Sequence, residues 1–386
     1  MFYSIFTFRN IIVIGILCRI SIFVGSIYLP LYSETGISVS PMKVATGIDY
    51  SFYAESLDKY IQVGIRGLLS EFIAFYEGPV EAYLGPLIAG PVFPLMILGF
   101  DYREGNSLPL SIFYLIMSTA LLMLWLYWLR SKGVGNFLLF VFALIPNPIW
   151  FMLNPSTELP FALIFAVFYF VYFKTTQKPL DVIVWVTALI LLMLTRPNGY
   201  SMCLFVVTDI FLRMAIGEKR LKMMLLGASF LLFAFGLYLY PYFITEMRKT
   251  VSTVAFFGIL QPEYIDGIYS YLPKWMNLVA SWISLIFAKI LYFCGLRPSY
   301  AGVDWSILVL RAGVGVILLP GLLYVAFVCS RRQKFFFACY LGPIILGSSQ
   351  DRYNFAVQPV LYFFGVTAIV DIVNNLRSGD HSLPVK

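Results

Sequence analysis

The chain has few charged residues and almost no histidine. Only 12% of its 386 residues are Asp, Glu, Lys or Arg, and His381, in a polar tail, is the one histidine. Its five cysteines form no CxxC pair and lie inside or at the ends of apolar runs, so we expect small core residues rather than disulfides or metal ligands. No glycine-rich nucleotide loop is apparent. The sequence therefore gives no sign of a metal cofactor or of a soluble nucleotide-binding domain.

Hydrophobic residues dominate the composition instead. They make up 60% of the chain, and apolar runs near the roughly 20 residues that a bilayer helix needs recur along its length. This predicts an all-α, polytopic membrane helix bundle of about 10 to 11 spans, forming one domain over residues 1–386. The predicted spans lie at about 10–31, 108–129, 133–153, 158–174, 181–196, 199–215, 221–245, 304–329, 334–349 and 354–373.

Two spans contain a basic residue at membrane depth. Arg19 lies in the first span, which has no small-residue cleavage pattern after it, so we expect an uncleaved helix rather than a signal peptide. Arg19, and Arg311 in a later span, are expected to snorkel to the membrane surface, to pair within the bundle or to face a cavity.

Lys and Arg cluster in short loops that fall on one face if the spans alternate, and this face is predicted to be cytoplasmic. The clusters are Arg130/Lys132, Lys174/Lys178, Arg213/Lys219/Arg220/Lys222 and Arg331/Arg332/Lys334. The net charge of +7 thus reflects topology and does not favour nucleic-acid binding. For the last cluster to stay on this face, residues 276–296 are predicted to form a tilted, interfacial or re-entrant helix rather than a span.

Two long polar loops, at about residues 32–106 and 246–274, lie on the opposite face. The first holds three acids close together, namely Asp49, Glu55 and Asp58. From Tyr50 onward apolar residues recur at helical spacing, which predicts a helix on the membrane surface with Asp49 just before its first turn. Prolines later in this loop favour another short interfacial helix.

Four polar stretches lie where spans begin or end on this non-cytoplasmic face. They are the loop around Asp49, residues 154–160 with Glu158, residues 195–200 with Arg196 and Asn198, and residues 350–353 with Arg352 and Tyr353. Ionisable residues at such depth are unfavourable unless they are used. Their shared side predicts one common site.

These stretches, in this order, resemble the GT-C superfamily of polyprenyl-phosphate-sugar-dependent glycosyltransferases. The similar pieces are Asp49 followed by Tyr53-Ala54, Gly90-Pro91-Val92-Phe93-Pro94-Leu95, Ser156-Thr157-Glu158-Leu159, Arg196-Pro197-Asn198-Gly199, and Asp351-Arg352-Tyr353 followed by Pro359. The resemblance covers roughly residues 10–370. It implies a GT-C-like fold and transfer of a sugar from a lipid-linked phosphate donor to an acceptor on the non-cytoplasmic face, as in a bacterial inner membrane.

The resemblance also implies roles for single residues. Asp49 would be the general base that deprotonates or orients the acceptor. Arg196 and Arg352 would bind the donor phosphate, with Arg66 as a third candidate. The remaining substrate-binding candidates are Tyr53, Glu158, Asn198 and Tyr353. No cofactor is expected; a divalent metal stays open, although Tyr50 replaces the second acid of the pair that some relatives carry.

Structural roles that involve no substrate stay open for the same residues. Asp49 also suits a helix N-cap or a solvated loop, and Glu158 suits the first turn of a helix, where the dipole favours an acid. Arg196 also suits a snorkelling residue at a span end. Arg352 also suits an ion pair with the adjacent Asp351.

The tail after the last predicted span bears on the choice of acceptor. No soluble C-terminal domain is expected there, which favours a glycolipid or cell-envelope polysaccharide as acceptor over a protein. One alternative is a polysaccharide polymerase or ligase that uses a diphosphate-linked donor. Another is a transporter or flippase of lipid-linked sugars, which the absence of a convincing internal repeat disfavours.

Overall fold

The structure is a computed structural model that describes residues 7–29, 31–32, 38–39, 108–153, 158–174, 178–195, 198–213, 226–227, 229–232, 234, 270–296, 305–346 and 351–378. Within these residues the chain is helical apart from two short strands, β1 (Leu31–Tyr32) and β2 (Ser38–Val39), which pair antiparallel just after the first helix. The predicted all-α class is confirmed for this part of the chain. The surface helix predicted after Asp49 lies outside it.

The chain divides into two compact units, Met1–Tyr242 and Phe243–Lys386. The described helices of the first are α1 (Phe8–Tyr28), α2 (Leu108–Ser131), α3 (Asn136–Ala143), α4 (Pro146–Leu153), α5 (Glu158–Tyr172), α6 (Pro179–Thr195) and α7 (Asn198–Arg213). Those of the second are α8 (Lys274–Phe293), α9 (Trp305–Phe327), α10 (Arg331–Leu346), a 3-10 helix (Asp351–Val357) and α11 (Gln358–Ser378).

Three helical segments of the described chain are long and apolar enough to cross a bilayer: Phe8–Tyr28, Ser111–Ser131 and Asn354–Asn374. Each has 21 residues, and a helix of that length spans about 30 Å, the thickness of the hydrocarbon core. The structure is thus consistent with a helical membrane protein. The larger number of spans and their orientation stay predictions.

Helix α1 has an apolar outer face and a buried inner face. Val13, Leu17, Ile20 and Val24 follow one another at helical spacing and are each 42–55% exposed. A row of exposed aliphatic side chains is unfavourable in water but suits lipid. The buried residues of α1 are Phe8, Ile11, Gly15, Arg19, Phe23 and Ser26.

Arg19 lies on that buried face, and its side chain does not reach the protein surface. Its side chain is fully buried, and its guanidinium donates hydrogen bonds to Ser118 Oγ, to the Gly15 carbonyl and to the Ala143 carbonyl. Of the alternatives for this residue, pairing within the bundle is confirmed. Arg311 lies on α9, and its side chain is outside the described part of the chain.

The predicted single span at 133–153 is wrong in one respect, because the structure divides it into α3 and α4. The break falls at residues 144–145, just before Pro146, which has no N–H to continue the hydrogen-bond ladder of α3. The chain instead tightens, and Leu144 N–H donates to the Val141 carbonyl at 3.2 Å. Each of the two helices has eight residues, about 12 Å of length, so neither crosses a bilayer alone.

Two helices end in the same glycine-based motif. Gly133 after α2 and Gly295 after α8 both have φ of 83°, a conformation that favours glycine because it has no Cβ. After α8, Gly295 N–H donates to the Tyr292 carbonyl and Leu296 N–H to the Leu291 carbonyl, which is the Schellman pattern. The motif satisfies carbonyl oxygens that the end of the helix leaves unpaired.

In the second unit, α9 and α11 pack backbone to backbone. A Cβ at Gly321 would meet the Leu361 carbonyl, and a Cβ at Gly365 would meet the Ile317 carbonyl. The two helices run in the same direction, since Tyr324, later on α9, interacts with Asp371, later on α11. Small residues at such a crossing are the usual means of close helix association in membranes.

Candidate functional site

Helices α5, α6 and α7 follow one another with short connections and pack side by side, α5 on α6 and α6 on α7. Because successive helices in such a hairpin arrangement reverse direction, the start of α5, the end of α6 and the start of α7 lie at one end of the unit. Glu158 is the first residue of α5, Thr195 the last of α6, and Asn198 the first of α7. Glu158 and the stretch around residue 198 thus lie at the same end of these helices, and their grouping in one site stays a prediction.

Glu158 is a buried carboxylate at this end, only 4% exposed. It occupies the first turn of α5, where the helix dipole favours negative charge. Thr195 closes α6 by donating from Oγ1 to the Leu191 carbonyl at 2.6 Å. This end of the three helices thus combines a buried acid with the first turn of α7, which begins at Asn198 of the Arg-Pro-Asn-Gly motif.

The glycine of that motif has a packing role. A Cβ at Gly199 would overlap the Leu192 carbonyl of α6 and come within 2.6 Å of the Met193 nitrogen. The first turn of α7 therefore lies directly on the backbone of α6. Any other residue at position 199 would push the start of α7 away from α6.

The opposite end of the same three helices carries its own polar contacts. Tyr172 Oη donates to Asp209 Oδ2 at 2.6 Å, and both side chains are buried. Nearer the helix ends, Lys174 Nζ and Asp181 Oδ1 are 2.7 Å apart, and Lys178 N–H also donates to the Asp181 carboxylate. These contacts tie α5 to α7 and join the residues after α5 to the first turn of α6, so this end of the three helices is held by hydrogen bonds between them.

In the second unit, the predicted site residues Arg352 and Tyr353 lie on the 3-10 helix Asp351–Val357. Their side chains are outside the described part of the chain. The next residue, Asn354, is buried and donates from Nδ2 to the Phe293 carbonyl at 2.6 Å. This bond joins the 3-10 helix to the last turn of α8 and satisfies a carbonyl that its Schellman motif leaves open.

Four of the predicted site residues lie outside the described residues. They are Asp49, Tyr53, Arg66 and Arg196. Asn198 is described only as the first residue of α7. The common site thus stays a prediction; in the first unit, Glu158 lies at the same end of the helices as the start of α7.

The potential metal ligands in the described ranges are Asp, Glu and Cys side chains. Within the described ranges, no group of three or more His, Cys, Asp or Glu side chains is placed to hold a metal ion. All five cysteines are unpaired thiols, and Cys203 and Cys294 are buried.

The buried polar residues that were not singled out from the sequence include Asp209, Asn354 and Gln358. Asp209 lies inside a strongly apolar stretch, and Asn354 and Gln358 lie where the polar stretch 350–353 passes into one. This is the signal that could have identified them, because polar groups at membrane depth need partners. Partners for such groups come from other helices. The spacing of residues along one helix does not reveal which residues of another helix are these partners.

Comparisons of this chain with protein-family models, with curated proteins and with solved structures find no match. The functional interpretation therefore depends on the residues themselves.

Proposed function

We propose that the protein is a membrane glycosyltransferase that moves a sugar from a polyprenyl-phosphate donor to a glycolipid or cell-envelope polysaccharide. The observation that carries the proposal is the buried Glu158 at the same helix-bundle end as the turn between α6 and α7. A buried carboxylate in a membrane protein is unfavourable unless it has a use. The Arg196-Pro197-Asn198-Gly199 motif, which links α6 to α7 in the sequence, supplies a candidate cation for the donor phosphate.

The proposed reaction requires charge of both signs. The acceptor hydroxyl oxygen attacks the anomeric carbon of the sugar, its proton passes to Asp49, and the bond between the anomeric carbon and the phosphate oxygen breaks. The lipid phosphate leaves with the electron pair of that bond. Arginine is suited to this anion because its fork binds two phosphate oxygens at once, and Arg196, Arg352 and Arg66 are the candidates.

Glu158 is proposed to bind substrate rather than to act as the base. A carboxyl group at this position offers oxygen atoms that accept hydrogen bonds from sugar hydroxyl groups. Asn198 at the start of α7 is a further candidate for such contacts. Tyr53 and Tyr353 offer an aromatic ring and a hydroxyl that also suit a sugar.

A membrane polymerase or ligase that takes a diphosphate-linked sugar is the alternative. The same arginines suit either donor, so the donor that the enzyme accepts separates the two functions. A flippase of lipid-linked sugars is the third candidate, and it would move the donor without consuming it.

The test is a transfer assay with the purified full chain in liposomes. Donors are polyprenyl-phosphate-linked and polyprenyl-diphosphate-linked sugars, and the readout is mass analysis of the glycans formed. The proposal expects products and free polyprenyl phosphate from the monophosphate donors only. Products from diphosphate donors alone indicate the polymerase or ligase, and movement of donor across the bilayer without product indicates the flippase.

Envelope glycans from cells with and without the protein supply the acceptor. A single missing sugar in the deficient cells identifies donor and acceptor together. Unchanged glycans contradict the proposal.

A further inference from the structure

The second unit contains a buried polar cluster at the junction of the 3-10 helix Asp351–Val357 with α11. Asn354 and Gln358 are 1% and 0% exposed, and they lie about one helical turn apart. Asn354 uses its Nδ2 in the bond to the Phe293 carbonyl. Among the residues that the structure describes, the Oδ1 atom of Asn354 has no hydrogen-bond partner. The same holds for both amide atoms of Gln358, Oε1 and Nε2. The fold thus buries two acceptor oxygens and one amide donor without using them.

Such an arrangement is unfavourable in the protein alone. A buried amide loses its hydrogen bonds to water and, without a partner, gains none in return. Methionine has a similar length and would fill the same volume at position 358 without this loss. Buried polar atoms without partners are uncommon in folded proteins, and each requires an explanation such as a bound water or a functional contact.

The chemistry of the unpaired atoms limits what they bind. Two carbonyl oxygens repel an anion, and the cluster of Asn354 and Gln358 carries no charge of its own. A hydroxyl group both donates and accepts, so neighbouring hydroxyl groups complement an amide that offers one oxygen and one NH2. The cluster therefore suits a neutral, polyhydroxylated molecule.

The cluster lies close in the chain to a predicted ligand of the donor phosphate. Arg352, a candidate for the donor phosphate, lies two residues before Asn354 on the same 3-10 helix. We propose that Asn354 and Gln358 bind hydroxyl groups of the sugar that the lipid-linked donor carries, and that this sugar is neutral. This inference rests on the proposed glycosyltransferase function and adds the substrate class to it.

Gln358 is the cleaner residue to test, because a change at Asn354 also removes the bond to Phe293. The experiment measures binding of undecaprenyl phosphate, and of undecaprenyl phosphate carrying glucose, mannose or galactose, to the full chain in nanodiscs. Gln358→Met is compared with the wild type, and with Asn374→Met, which changes an exposed amide on the same helix. Thermal stability is measured for each without ligand.

The expected result distinguishes binding of the sugar from binding of the lipid phosphate. The wild type and Asn374→Met prefer at least one hexose-bearing lipid to the bare phosphate by roughly tenfold, the effect of one or two hydrogen bonds. Gln358→Met loses this preference, keeps its affinity for the bare lipid, and is as stable as the wild type or more stable, because the unpaired amide is gone.

Other outcomes overturn the inference. If Gln358→Met keeps the preference, the amide does not bind the sugar. Lower stability with the preference intact indicates a bridging water, and a loss of affinity for the bare lipid as well indicates a general effect on the fold. A wild type that binds these lipids without preference overturns this inference alone, whereas a wild type that binds none of them also overturns the proposed function.

Discussion

The Arg19 guanidinium on α1 donates from Nη1 to the carbonyl oxygen of Ala143, 3.2 Å away, and Ala143 is the last residue of α3. The last carbonyls of a helix have no intrahelical donor, so this buried cation caps α3. Its Nε also donates to Ser118 Oγ of α2 at 3.2 Å. One side chain therefore joins three helices. In the second unit Asn354 has the same function, because it donates to the Phe293 carbonyl at the end of α8.

The first prediction concerns the fork of Arg19. Arg19→Lys keeps a buried charge, but a single ammonium group cannot donate to Ser118, Gly15 and Ala143 at once as the planar guanidinium does. Arg19→Met loses the same bonds but also removes the charge, and a buried charge without partners is strongly unfavourable. We expect the Lys variant to be less stable than the Met variant by about 1 kcal/mol or more. Thermal unfolding of the full chain in detergent measures the difference, and equal stability of the two would contradict the role of the fork.

The second prediction concerns the crossing of α9 and α11. Gly321→Ala and Gly365→Ala each place a Cβ against the backbone of the partner helix, so we expect each to destabilise the protein by about 1–3 kcal/mol. Gly313→Ala is the control on α9, because a Cβ there meets nothing within 4 Å. It is expected to be neutral or to stabilise by up to about 1 kcal/mol through helix propensity. The measurement is the unfolding midpoint of each of the three variants. If Gly313→Ala lowers the midpoint as much as the other two, close backbone packing at the crossing does not explain the losses.

The third prediction tests the glycine of the Arg-Pro-Asn-Gly motif. Gly199→Ala is expected to move the start of α7, with Asn198, away from α6, because a Cβ overlaps the Leu192 carbonyl. Misplaced binding groups reduce catalysis strongly, so we expect roughly tenfold or greater loss of sugar transfer. Gly25→Ala on α1, where a Cβ meets nothing within 4 Å, is expected to retain wild-type transfer. The measurement is kcat/KM with a polyprenyl-phosphate-sugar donor, and full activity of Gly199→Ala would be evidence against a site at this turn.

The fourth prediction concerns the proposed base. Asp49→Asn is expected to abolish transfer, a loss of about 10²–10⁴-fold being typical for a general base. Insertion into the membrane and binding of the donor lipid are expected to stay unchanged, because the amide has nearly the same size. Glu55→Gln and Asp58→Asn are the matched controls in the same loop and are expected to keep activity. If one of these two variants is inactive and Asp49→Asn is active, the base is misassigned.

Composition and spacing determined the general class of this protein. A chain with 60% hydrophobic residues cannot hide them all in a water-soluble core, and a helix satisfies its own backbone inside lipid. The sequence therefore predicted an all-α membrane protein, and the described helices are consistent with one. It also identified the polar stretches at the ends of its helices, and the structure places Glu158 and Asn198 at one end of α5, α6 and α7.

Tertiary structure decided which polar groups meet across helices. The sequence did not indicate that Arg19 caps α3, that Asn354 caps α8, or that Gly321 and Gly365 allow a backbone crossing. It also predicted one span at 133–153 where Pro146 begins a second helix. The physical reason is that periodicity describes one helix at a time, while hydrogen bonds and close packing between helices depend on partners far apart in the chain.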